Sequence, residues 1–215
     1  MLIARALCVN PKVLLLDEPL SNLDARLRLK IREEIRQLIK EINITTIFVT
    51  HDQEEALSIS DQIVLMDQGN IQQIDEPQNL YLEPANLFVA KFMGNPIINI
   101  INVTLENGRI ISNDLSFDIS RLNVRRFKKE VADGEYYLGV RPEYFNINDN
   151  NPLINVPIRD VELIGKDRIS NFNLNGENCK LITDVTTIIK QGQNVGLDID
   201  FNSIYLFDKQ GVRVY

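Results

Sequence analysis

The sequence predicts an α/β part with parallel strands over residues 1–93, followed by an all-β part of small barrel or sandwich type over residues 94–215. Three observations predict this division. Unbroken apolar runs flank a helix-period segment in the first part. Short strands lie between glycine turns in the second. The change of pattern falls at Gly94-Asn95-Pro96.

Taken in order, Val13-Leu14-Leu15-Leu16 and Ile47-Phe48-Val49 have the pattern of strands buried on both faces of a parallel sheet. Between them Ile31, Ile35, Leu38, Ile39 and Ile42 recur at helical spacing, with Arg32, Glu33, Arg36 and Lys40 on other faces. Strand, helix and strand in that order form a βαβ unit. Ile63-Val64-Leu65-Met66 and Ile71-Gln72-Gln73-Ile74 flank Asp67-Gln68-Gly69-Asn70, a hairpin signal. Two short helices should follow, one opened by Pro77 and one by Pro84 or Ala85, because proline suits a first helical turn. Beyond Gly94, turn signals stand at Asn107-Gly108, Asp133-Gly134 and Asn175-Gly176, and residues 195–200 alternate in period two as a half-buried strand does.

With 44% hydrophobic and 25% charged residues among 215, the composition is that of a soluble globular protein. A net charge of -7 argues against a nucleic-acid partner, which needs a basic face to release counterions. The short basic run Arg125-Arg126-Phe127-Lys128-Lys129 reads as a solvated face. Cys8 and Cys179 lie far apart without metal-ligand neighbours and read as reduced thiols. No apolar run approaches the ~18 residues of a membrane span, so a cytosolic chain is expected, with any membrane association made through a partner.

The chemistry gathers at two strand ends. Residues 12–19 read KVLLLDEP, an apolar strand ending in Asp17 and Glu18. Ligands of open parallel sheets sit beyond the carboxyl ends of strands. An aspartate there can hold Mg²⁺, directly or through water, and a second carboxylate can deprotonate an attacking water. A pair of helix-start acids is the plainer alternative. The second strand favours the site: it ends at His51-Asp52, so the one histidine of the chain falls beside the carboxylate pair. An imidazole there can bond a phosphate oxygen through one nitrogen and a second group through the other.

These segments resemble ABC transporter ATPases. KVLLLDEP resembles the Walker B strand, SNLDARLR (residues 21–28) the D-loop and THDQEEAL (residues 50–57) the switch-histidine loop, in the family's order and spacing. Residues 2–7 are similar to the helix that follows the family's signature motif. The resemblance implies ATP and Mg²⁺ as ligands, with Asp17 as the Mg²⁺-associated aspartate, Glu18 as general base and His51 in contact with the γ-phosphate. It implies Ser21 and Asp24 on the D-loop at a dimer interface. Residues 79–90 resemble the close of the catalytic domain. Residues 92–99 resemble the Gly-x-Pro-x-x-Asn hinge of the maltose and glycerol-phosphate importer type, and residues 138–143 an element of its regulatory domain, as do residues 161–165 and 195–197. By that resemblance the whole chain is a partial P-loop NTPase domain followed by an OB-like regulatory (TOBE-type) barrel.

A G-x-x-x-x-G-K-[ST] loop is absent; Gly165-Lys166 is followed by Asp167 and has Asp160 in place of the first glycine. No adjacent glycine pair exists, so the Ser-Gly-Gly signature is absent too. The chain is therefore expected to begin inside the catalytic domain, as a truncated product, half of a split gene or a shortened chain. It is expected to be inactive alone and to carry uncovered apolar faces. The resemblance implies an energy-coupling subunit of a carbohydrate importer, working as a homodimer or paired ATPase on membrane permeases at the inner face of the cell membrane. A regulatory protein at the β-domain is a further implied partner, and the transported solute is left open. A non-catalytic dimerisation or regulatory module is the alternative. Arg141-Pro142-Glu143 reads as a structural turn, with the arginine paired to a local acid. Residues 146–151 read as a solvated loop.

Overall fold

The structure is a computed structural model that describes residue 7 and residues 11–21 and 23–215. The helix expected at residues 2–7 and Cys8 lie outside the described residues, apart from a helical Leu7. The chain forms two compact units, Met1–Glu83 and Pro84–Tyr215.

In the first unit β1 (Val13–Asp17), α1 (Ala25–Ile42) and β2 (Thr45–Val49) form the expected βαβ arrangement. The two strands pair in parallel, with Asp17 opposite Val49. The inward side carries Leu14 and Leu16 from β1, and a nearby core gathers Leu20, Ile35 and Ile59 with Leu23, Ile31, Ile39 and Phe48. The expectation of burial on both faces fails: Val13, Leu15, Ile47 and Val49 are exposed. Among the described residues the sheet has two strands and one covered face, so the alternate residues of each apolar run meet solvent. Asn43 ends α1 in the left-handed conformation at φ 50°, with its N–H bonded to the Ile39 carbonyl.

Beyond α2 (Gln53–Ile59), strands β3 (Ile63–Asp67) and β4 (Asn70–Asp75) form the predicted hairpin. Gln68 and Gly69 both have positive φ, as a type I′ turn requires. Helix α3 (Pro77–Leu82) carries proline in its first turn as expected. Helix α4 (Leu87–Phe92) instead begins beyond Pro84 and Ala85. The Asn86 side chain caps it by accepting from the Val89 N–H at 2.9 Å.

The second unit starts before Gly94 because the α4 segment bonds to its far end. The Leu87 N–H donates to the Gly211 carbonyl at 2.8 Å, and Ala90 packs with Ile98, Tyr205 and Phe207. Strands β5 (Asn99–Glu106), β6 (Arg109–Ile111), β7 (Ser116–Asp118), β8 (Gly134–Val140) and β14 (Tyr205–Phe207) make one antiparallel sheet, in the order β14-β8-β5-β6-β7. Strands β9 (Phe145–Ile147), β10 (Ile154–Ile164), β11 (Asp167–Leu174), β12 (Glu177–Asp184) and β13 (Asn194–Ile199) make another, in the order β12-β11-β10-β13-β9. Both contribute to one core, in which Ile101, Leu138 and Val140 join Val156, Phe172 and Leu197.

The turns at Asn107-Gly108 and Asn175-Gly176 have the paired positive φ of tight hairpins. Asp133-Gly134 does not close a hairpin: a long connection precedes β8, and the Asp133 carboxylate accepts from the Asn107 N–H. Gly165-Lys166 is the turn between β10 and β11. Arg141 is fully buried and donates to the Met93 carbonyl at 2.7 Å, ahead of the 3-10 turn Pro142–Tyr144. Of residues 146–151, expected as a loop, Asn146 and Ile147 instead belong to β9, paired with Asp198 and Leu197 of β13; the loop begins at Asn148, whose amide donates to the Asn151 carbonyl and the Asp198 carboxylate. Cys179 is a free thiol, pushed up to about 12 by burial first and by Glu177 second.

Candidate active site at the ends of two parallel strands

The pairing of β1 with β2 places two loops side by side. At the first, the Glu18 N–H still donates to the Val49 carbonyl at 2.9 Å, extending the strand ladder by one bond. The backbone then turns sharply, with Glu18 at φ 42°, a conformation that side-chain-bearing residues seldom adopt. The Ser21 N–H and hydroxyl both donate to the Glu18 carbonyl, at 3.2 and 2.9 Å, and hold that turn. The Glu18 carboxylate is thereby projected beyond the strand ends.

At the second loop His51 meets it: Nδ1 lies 3.0 Å from Glu18 Oε1. The imidazole side chain is 74% exposed and the carboxylate 47% exposed, so the pair stands open to a ligand. The hydrogen bond to Glu18 is the main cause that raises the His51 pKa, and the Glu18 charge is the next; desolvation opposes them weakly, while Glu55 and Asp52 add to the rise.

Of the other predicted residues, Asp17 sits exposed at the last position of β1. Ser21 joins the Glu18 turn. Asp24 is committed to a structural bond: it caps α1, accepting from the Arg26 and Leu27 N–H groups at 3.1 and 3.0 Å. Among the described residues no three His, Cys, Asp or Glu side chains are grouped to hold a metal. The exposed carboxylate oxygens of Asp17 are hard donors. They fit Mg²⁺, which takes one or two carboxylates and fills its remaining positions with waters and phosphate oxygens.

Sequence reasoning missed the support behind His51. Asp52 caps α2, accepting from the Glu54 and Glu55 N–H groups at 2.9 and 3.2 Å. Glu55 is buried and accepts from the Thr50 hydroxyl at 2.6 Å. Arg28 reaches Asp52 at 3.3 Å and Glu55 at 3.8 Å. The readable signal was Asp52-x-x-Glu55 after an apolar run, which marks a helix start; the partnership with Arg28 has no local signature.

No family model matches the chain. Curated proteins do. A Mycoplasma pneumoniae relative described as an ABC transporter ATP-binding protein is 41% identical over 97% of this chain and 35% of its own length. The sn-glycerol-3-phosphate import ATP-binding protein of Psychromonas ingrahamii is 34% identical over 95% of this chain and 55% of its own. The chain belongs to the ABC transporter ATP-binding proteins. Another member it resembles, the ferric-ion import ATP-binding protein of Fusobacterium nucleatum, is 37% identical over 98% of this chain and 57% of its own length. This ABC chain thus spans between about a third and three fifths of the length of these relatives. Among its described residues, no helix is long and apolar enough to cross a membrane.

Proposed function

We propose that this chain carries the water-activating half of an ATP-hydrolysing, energy-coupling subunit of an ABC importer for carbohydrate or a related solute. The observation that carries the reading is the Glu18–His51 contact of 3.0 Å across the ends of two hydrogen-bonded parallel strands. Asp17 holds Mg²⁺, directly or through water; the ion, when bound, neutralises charge on the transferred phosphoryl group. Glu18 is the general base. One of its oxygens is taken by His51, and the other accepts the proton of a water. His51 spends Nδ1 on Glu18 and turns Nε2 outward. With Nδ1–H directed at the carboxylate, only the imidazolium can also donate from Nε2 to a phosphate oxygen, and the Glu18 contact favours that form.

Ser21 and Asp24 lie on a turn at a dimer interface in this reading, with Asp24 also acting as a helix cap. The second unit is the OB-like, TOBE-type regulatory and dimerisation domain, and it offers the surface for a regulatory protein. Permease subunits hold the assembly peripherally at the inner face of the cell membrane and choose the solute; the maltose and glycerol-phosphate type is favoured by the Gly94-x-Pro96-x-x-Asn99 hinge.

A glycine-rich phosphate loop is absent from this sequence, so turnover by the chain alone is expected to be negligible. Mg·ATP binding and hydrolysis, with and without an added amino-terminal fragment bearing such a loop, test the reading. Turnover should appear only with the fragment and should fall about 10²-fold or more in Glu18→Gln, the scale of general-base catalysis. Absence of binding under both conditions would favour a dimerisation and regulatory module. Equal turnover in Glu18→Gln would remove Glu18 from its role.

A further inference from the structure

We infer that Arg28 is the positioning residue of this site: it fastens the turn after β1 to the loop after β2 and so fixes the approach of His51 to Glu18. The observation is the set of acceptors around one guanidinium. Arg28 stands at the start of α1, its N–H bonded to the Asp24 carbonyl at 2.8 Å. Its Nη2 donates to the Leu23 carbonyl at 3.3 Å, on the turn that also carries Glu18 and Ser21. Its Nη1 donates to Asp52 Oδ2 at 3.3 Å, and its Nε lies 3.8 Å from Glu55 Oε1.

Those acceptors bracket His51. The Thr50 hydroxyl donates to Glu55 Oε2 at 2.6 Å and accepts from the Asp52 N–H at 3.0 Å. Both neighbours of His51 are therefore tied to groups that Arg28 holds, while the imidazole itself is open to solvent. An exposed side chain on a free loop spreads over its rotamers; anchoring the residues on either side removes much of that spread in advance.

Burial explains why the residue is an arginine. The Glu55 side chain is 4% exposed, and a carboxylate so far from water is costly unless a cation pairs with it. A guanidinium fork donates to Leu23 and Asp52 together and sets its charge 3.8 Å from Glu55, an ion pair without a hydrogen bond, whereas a lysine ammonium is a point charge. Arg32 provides an internal control. It pairs with Glu54 at 3.6 Å, and among the described residues no bond from it to either loop accompanies that pair. The functional weight of Arg28 rests on the reading of Glu18 and His51 as the hydrolytic pair; the geometry it controls does not.

His51 is the one histidine of the chain, so its Cε1 proton gives a single signal in a proton NMR titration of the full 215-residue protein. The groups acting on it are Glu18, Glu55 and Asp52. Two effects of removing Arg28 have opposite signs. Deleting a nearby cation alone favours the imidazolium and raises the His51 pKa. Loss of positioning weakens the Glu18 contact and lowers it. We expect Arg28→Gln, shown folded by circular dichroism, to bring the His51 titration down to that of Glu18→Gln, while Arg32→Gln does not lower it. An unchanged or upward titration in folded Arg28→Gln overturns the inference. If Arg28→Gln does not fold, Arg28→Lys decides by the same criterion, since it keeps the charge and loses the fork: a downward shift supports the role and a wild-type titration overturns it. ATP turnover with the phosphate-loop fragment separates the two readings. A downward shift without turnover in any protein, wild type included, retires the hydrolytic reading and leaves the positioning intact. Wild-type turnover without the shift does the reverse.

Discussion

Glu18 combines a strained backbone with an outward carboxylate, and the two are connected. A residue other than glycine at φ 42° costs on the order of 1 kcal/mol or more. The Val49 carbonyl on one side and the Ser21 donors on the other hold it there, so the strand cannot simply continue and the side chain is delivered next to His51. The resulting contact gives a pH signature with a defined sign. The folded-state pKa of His51 is raised above its ordinary 6.5. The pair therefore contributes stability that is fully present below about pH 6.5, provided Glu18 remains ionised, and is lost as pH rises through the folded value. Wild type should accordingly exceed His51→Gln in thermal midpoint at about pH 6, with the advantage shrinking by about pH 9 and shrinking also in high salt, since exposed pairs are screened. A midpoint difference independent of pH between those values would show that the contact carries no charge coupling.

Among the elements, α1 shows how a family-like segment can have two duties. Asp24 sits on the turn read as an interface, yet its carboxylate already bonds the Arg26 and Leu27 N–H groups that no helical carbonyl serves. Asp24→Ala should cost about 1 kcal/mol of stability, as loss of an N-cap does, and Asp24→Asn should cost much less because the amide oxygen still accepts. Denaturant unfolding checks this. Equal losses in both variants would mean that the charge matters more than the cap. The same helix marks what was legible in the sequence. Its apolar spacing, the two flanking apolar runs and the Gln68-Gly69 turn are local patterns, and all three gave the observed elements. The two-sided burial suggested by those runs is not found, while the uncovered apolar faces also expected are present; an unbroken apolar run does not itself state how many of its faces are covered. The start of α4 was misplaced because Asn86, as a side-chain cap, outcompeted the proline two residues earlier. The meeting of Glu18 and His51 at neighbouring strand ends was readable from the two apolar runs and the residues that follow them. The Arg28–Asp52–Glu55 support was not, since it joins positions far apart in sequence that only the packing of α1 against α2 brings together.

On the scale of the whole molecule the two units are unequally finished. The second closes two five-stranded sheets around a common core, with Phe172, Leu181, Leu197 and Tyr215 fully buried. The first covers one side of β1 and β2 and leaves Val13, Leu15, Ile47 and Val49 exposed, Leu15 at 70%. On its hairpin, Val64, Met66, Ile71 and Ile74 are likewise exposed. Both β1 and β2 are also edge strands of a two-stranded sheet, with backbone groups on their outer sides that the sheet itself does not pair. Apolar side chains beside open strand edges favour self-association at high protein concentration. The prediction is that the chain associates with rising concentration in analytical ultracentrifugation, and that Leu15→Lys shifts it toward monomer. Because Leu15 is already in solvent, that substitution should change folding stability by no more than about 0.5 kcal/mol. Leu16→Lys, one position along on the covered face, should unfold the first unit by burying an unpaired charge. A wild-type chain that stays monomeric at every concentration would refute the proposed role of the open face. Association undiminished in Leu15→Lys would place the contact elsewhere on the molecule. The contrast between adjacent residues of one apolar run is the decisive part, since only a strand with one covered face responds so differently at positions 15 and 16.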